Sequence, residues 1–98
     1  MLDQETIDTI ARQVATANLS STNVTGVFSA PTTDSEGRDA LRITIVLAEG
    51  SSDVISGKKT LDTLAQLQER LQKQGEDRFA FIEYATDKEL NESGDSES

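Results

Sequence analysis

The chain contains no cysteine and no histidine. Without thiols there are no disulfides, no thiolate nucleophile, and no iron–sulfur or cysteine-zinc site. Without imidazole there is no Ser-His-Asp triad, no histidine general base and no ordinary transition-metal centre. Proline occurs once, at Pro31. No apolar run approaches membrane-spanning length, and Met1-Leu2-Asp3-Gln4-Glu5 has neither the basic nor the apolar segment of a secretory signal. These absences lead us to expect a cytoplasmic, non-enzymatic protein that holds no metal and no cofactor.

What the sequence has in quantity is acid. Its 98 residues include 18 acidic and 9 basic side chains, a net charge of -9. The length fits one domain with a single modest core. The charge repels nucleic-acid phosphates and anionic membranes, so DNA and membranes are disfavoured as partners and a basic protein is favoured. The acidity is uneven: residues 1–85, read as one α/β domain, carry 13 acids and 8 bases. Residues 86–98 read as a short helical turn, opened by the capping box Thr86-Asp-Lys-Glu89, followed by a disordered acidic tail.

Hydrophobic periodicity predicts five elements. A first helix runs from Asp3, its N-cap, to about Asn18, with Leu2 and Ile7 placed as a hydrophobic staple. Its apolar stripe is Ile7, Ile10, Ala11, Val14 and Ala17. Two strands follow, Val24–Ala30 and Ala40–Ala48, separated by the turn-rich stretch Pro31–Asp39, which reads as a long mobile hairpin loop. In the second strand Leu41, Ile43, Ile45 and Leu47 share one face. A second helix spans roughly Lys58 to Gln74, with Ser56 as its cap and Gly75 just past its end. Leu61, Leu64, Ala65, Leu67 and Leu71 make its expected buried stripe. A third strand, Phe79–Tyr84, completes an α-β-β-α-β order. The fold class is an α/β (α+β) two-layer sandwich, a three-stranded sheet with both helices on one face. Strand order stays open.

The other sheet face is expected to lack a cover and to carry function. Strand alternation places Val27 and Val46 there, with either Phe79 and Phe81 or Ile82 and Tyr84. Of these, Val27, Val46, Ile82 and Tyr84 are the predicted partner-binding residues. The leading expectation is an interaction or regulatory protein, an antitoxin- or inhibitor-like acidic subunit that binds a basic protein or a second copy of itself. The alternative is a small RNA-binding or ribosome-associated domain. It would use Lys59, Arg70 and Lys73, which fall on one face of the second helix around Gln66.

Other motifs fall short. Gly50 and Gly57-Lys58 join a strand to a helix, but six residues separate the glycines and Lys59 stands where a phosphate loop needs Ser or Thr. Asp34, Glu36 and Asp39 surround Gly37 without the distal glutamate or the helix-loop-helix setting of a calcium loop. Glu83, set in an apolar strand, reads as an outward-pointing carboxylate or a perturbed functional one.

Overall fold

The computed structural model describes residues 2–51 and 55–89 of the chain. The expected acidic tail from Asn91 onward lies outside the described residues, as does part of the glycine-marked connector. The order is α-β-β-α-β: α1 (Gln4–Leu19), β1 (Val24–Thr33), β2 (Asp39–Leu47), α2 (Gly57–Lys73) and β3 (Phe79–Thr86). The strands form one sheet in the order β1-β2-β3, with β1 antiparallel and β3 parallel to the central β2. The two-layer arrangement follows from packing: α1 lies on β1 and α2, and α2 lies on β3.

Helix α1 begins where its chemistry dictates. The Asp3 carboxylate accepts the Thr6 amide at 2.9 Å, satisfying a donor that has no partner inside the helix. This hydrogen bond holds its carboxyl below the usual aspartate range. The buried stripe is Ile7, Ile10, Ala11, Val14, Ala15 and Leu19. Ala17, expected in that stripe, is exposed, because the stripe follows Ala15 and Leu19 as α1 lies across the sheet.

The hairpin differs from the long loop expected. Strand pairing continues through Thr32 opposite Ala40 and Thr33 opposite Asp39, leaving only residues 34–38 as the turn. Asp34 builds that turn: its carboxylate accepts the amides of Glu36 and Arg38, each at 2.9 Å. Gly37 takes the left-handed conformation the turn requires, at φ 81°. Pro31 sits in β1, an edge strand, where its missing N–H is tolerated.

Helix α2 is rotated from the predicted stripe. Thr63, Leu67 and Leu71 are its buried residues, whereas Leu61 is 69% exposed and Ala65 also faces solvent. Thr63 is accommodated by donating its hydroxyl to the Lys59 carbonyl at 2.7 Å. The helix ends in a Schellman motif, with Gly75 N–H bound to the Gln72 carbonyl and Glu76 N–H to the Leu71 carbonyl.

The core is aliphatic. Ile7, Leu19, Leu41, Ile43, Ile45, Leu67 and Leu71 are among its fully buried side chains, and no phenylalanine joins them. Leu67 is 1% exposed in this layer. Leu67→Ala is expected to cost about 2–5 kcal/mol, read as a drop in the urea midpoint at unchanged slope.

One buried charge ties the two ends of the helical layer together. The Schellman turn delivers Glu76, 1% exposed, to a position where its carboxylate accepts the Leu2 amide at 2.9 Å. The same carboxylate accepts the Arg78 amide at 3.1 Å and two guanidinium N–H groups at 2.9 Å each. With these donors around it, and Arg78 foremost, Glu76 is held down at a pKa of about 2.

Candidate functional site

The sheet face that carries no helix among the described residues is built in four cross-strand rows. Its pairing places Thr32, Ala40 and Phe79 in one row and Ala30, Arg42 and Phe81 in the next. Phe28, Thr44 and Glu83 follow, then Gly26, Val46 and Ala85. Small residues occupy much of the middle and the aromatics stand on the flanking strands. Phe28, Phe79 and Phe81 are 45%, 51% and 41% exposed, and they are all the phenylalanines the protein has. Phe79 and Phe81 meet edge to face with ring centroids 5.0 Å apart. Between the aromatic flanks, Arg42 pairs with Glu83 at 3.4 Å. A shallow groove of about 430 Å³ runs between Phe28 and this ion pair, bordered by Glu89. Glu89 is fixed by the predicted capping box, which forms reciprocally: its amide donates to the Thr86 hydroxyl and its carboxylate accepts the Thr86 amide, both at 3.1 Å.

Three of the four predicted contact residues lie elsewhere. Val27 is buried in the core opposite Ile45, because a bulge between Val24 and Gly26 reverses the phase of β1. The bulge turns Phe28 outward and Val27 inward. Ile82 and Tyr84 pack against the helix-side core, since β3 pairs Ile82 with Ile43 and Tyr84 with Ile45. Burial beside Thr63 pushes the Tyr84 phenol above its usual range. Val46 does belong to the outer face but is only 5% exposed, pressed into the row between Gly26 and Ala85. Phe79 and Phe81, the other branch of the expectation, are the outward pair, and Glu83 points outward with them.

The basic face of α2 is largely engaged within the molecule. Arg70 donates to the Gln13 side chain of α1 at 2.7 Å, and the Gln66 side chain accepts from Asn18 of α1 at 3.0 Å. Lys73 pairs with Glu69 at 2.9 Å, which holds the Glu69 carboxyl below its usual range. Lys59 stands about 21 Å along the helix axis from Lys73, at 1.5 Å per residue. The row around Gln66 is therefore the seam between the two helices, and the three cations do not converge on one point. The hairpin carboxylates are similarly occupied: Arg38 is bound by Asp34 and by Glu36, each at 2.9 Å.

Comparison with protein-family models, with curated proteins and with solved structures returned no match. The site thus stands on its own geometry. Among the described residues no helix is long and apolar enough to cross a membrane. None of the described acidic residues forms a group of three or more able to hold a metal ion.

The edges of the sheet are less available than its face. On the edge strand β1, the Ser29 carbonyl accepts the Gln4 side-chain amide at 2.7 Å. On the other edge, the Ala80 amide of β3 donates to the Gln68 side chain at 3.2 Å. A helix side chain thus occupies backbone hydrogen-bonding capacity on each outer strand, and Pro31 removes a further donor from β1. Such devices discourage strand addition.

Proposed function

We propose that this chain is a non-enzymatic interaction domain of regulatory type, and that its outer sheet face binds a basic segment of another protein. The observation that carries the reading is the placement of every phenylalanine on the one sheet face that no helix covers among the described residues. Exposed aromatics cost solubility unless a partner uses them, and aromatic anchors dominate binding energy at interfaces.

Charge and size select the partner. A protein of net charge -9 attracts a basic segment and repels a second copy of itself. Three strands spaced about 4.8 Å apart, over four rows about 6.8 Å apart, give a footprint of roughly 400 Å². That is about half the ~800 Å² per partner of a standard stable interface. A segment fits this face better than a globular body does. Edge occupation by Gln4 and Gln68 favours docking on the face over extension of the sheet.

Selection of random 12-residue peptides on the immobilised protein tests the reading. The recovered peptides are expected to be rich in Arg and Lys with at least one apolar anchor. They are expected to lose at least tenfold in affinity on the F28S/F79S/F81S protein while L61S binds as wild type. Acidic peptides, or peptides indifferent to the triple substitution, would overturn it. A dimer in sedimentation that the triple substitution dissolves would install a second copy as the occupant. Mixed RNA that shifts the amides of Lys59, Arg70 and Lys73 on α2 and leaves the sheet face unmoved would favour the nucleic-acid alternative instead.

A further inference from the structure

Resting on that reading, we infer that the step between Phe79 and Phe81 is a subsite for an arginine side chain of the bound segment. A hollow of about 480 Å³ lies at this corner of the sheet, where the aromatic pair meets the hairpin turn. Its walls carry the carboxylates of Asp34, Glu36, Asp39 and Asp77 against the single guanidinium of Arg38. Two of those carboxylates are already committed, since Arg38 is bound by Asp34 and Glu36 at 2.9 Å each. Asp39 and Asp77 make no ion pair within 4 Å among the described residues. Asp39 feels the Arg78 guanidinium at longer range, but Arg78 is bound by Glu76, so Asp39 and Asp77 both keep acceptor capacity for a ligand.

The pairing of chemistry is specific. A guanidinium is planar and weakly hydrated, so it stacks on an aromatic face and still presents N–H donors at its edge. Here two half-exposed rings offer the face and two carboxylates offer the acceptors. Lysine supplies the charge without the plane, and citrulline supplies the plane without the charge. The fixed internal pairs of Arg38 matter as well: they screen its positive charge, so the corner keeps a net negative field.

The probe is the blocked peptide Ac-Gly-Arg-Arg-Gly-NH2, titrated into ¹⁵N-labelled protein, with lysine and citrulline versions for comparison. Saturating amide shifts at Asp39, Asp77, Phe79 and Phe81 are expected with the arginine peptide. The citrulline peptide is expected to bind at least fivefold more weakly and the lysine peptide at least twofold more weakly. Asp77→Asn, an exposed site, is expected to weaken the arginine peptide at least twofold, and F79L/F81L at least fivefold. Equal binding of arginine and citrulline, or shifts that map away from this corner, would overturn the inference. If the arginine peptide fails while selected basic peptides still need the three phenylalanines, only the subsite falls. If both fail, the docking surface falls with it.

Discussion

Glu76→Ala is expected to destabilise the protein by about 3–5 kcal/mol, the usual consequence of removing one partner from a buried ion pair. The carboxylate is 1% exposed and accepts four hydrogen bonds, one from Leu2 and three from Arg78. Its loss leaves the Arg78 guanidinium, itself only 13% exposed, with no bonded counter-charge and only the longer-range field of Asp39. Small domains hold only about 5–15 kcal/mol in total, so this is a large share of the stability. Urea denaturation followed by circular dichroism measures it. A midpoint within experimental error of wild type would show that the clasp carries no stability.

The same group sets an acid limit. The folded pKa of Glu76 is about 2, against 4.5 for a free glutamate side chain. A depressed carboxylate stabilises the fold fully above its unfolded pKa and loses that contribution as pH falls toward its folded pKa. At ~1.4 kcal/mol per pKa unit the contribution near neutrality is about 3 kcal/mol. Stability is therefore expected to fall between pH 4.5 and 2. In Glu76→Gln the fall across this window is expected to be visibly shallower, although the starting stability is lower.

The second large effect belongs to a pair of adjacent residues. Val27→Asp is expected to unfold the protein or cost at least ~3 kcal/mol, because it puts an unpaired carboxylate into the core opposite Ile45. Phe28→Asp, one residue along and 45% exposed, is expected to cost about 1 kcal/mol or less. Thermal melts of the two variants separate them. A folded Val27→Asp beside an unfolded Phe28→Asp would mean that the bulge at Val24/Gly26 is misplaced.

That pair also marks where sequence reasoning reached its limit. Alternation in β2 was legible because Leu41, Ile43, Ile45 and Leu47 repeat without a break. The helix caps at Asp3 and Ser56, the Gly75 terminus and the capping box at Thr86 were legible because each depends on local hydrogen bonds. In β1 the bulge inserts one residue and shifts everything beyond it to the other face, and no residue type announces it. Gly26 is the nearest hint, as glycine often marks a bulge.

In β3 the signal was present and could have been used. Phe79, Phe81 and Glu83 share one parity, and a carboxylate in a half-buried strand belongs to solvent. An outward Glu83 therefore requires outward phenylalanines, against the usual preference of aromatics for the core. The rotation of α2 was illegible for a different reason. Thr63 is a poor core candidate by type, and only its bond to the Lys59 carbonyl makes burial acceptable. Glu76 and Arg78 stand in the short connector after α2, and nothing in their residue types signals that the Schellman turn brings them against Leu2.

The position of β2 between its neighbours has a consequence for how the molecule is assembled. Its antiparallel neighbour arrives through a five-residue turn at 34–38, so the hairpin closes on a short loop. Its parallel neighbour arrives only after α2, with Ala40 finding Phe79 far along the chain. Closing the longer loop costs more chain entropy than closing the short one, so the two pairings differ in the ordering each requires. Phe28 belongs to the pair closed by the short turn, whereas Phe79 and Phe81 belong to the strand paired across the long connection. A chain with β3 detached displays one ring and no step. If the face binds a partner as we propose, a partner that needs all three rings would thereby select the fully paired sheet.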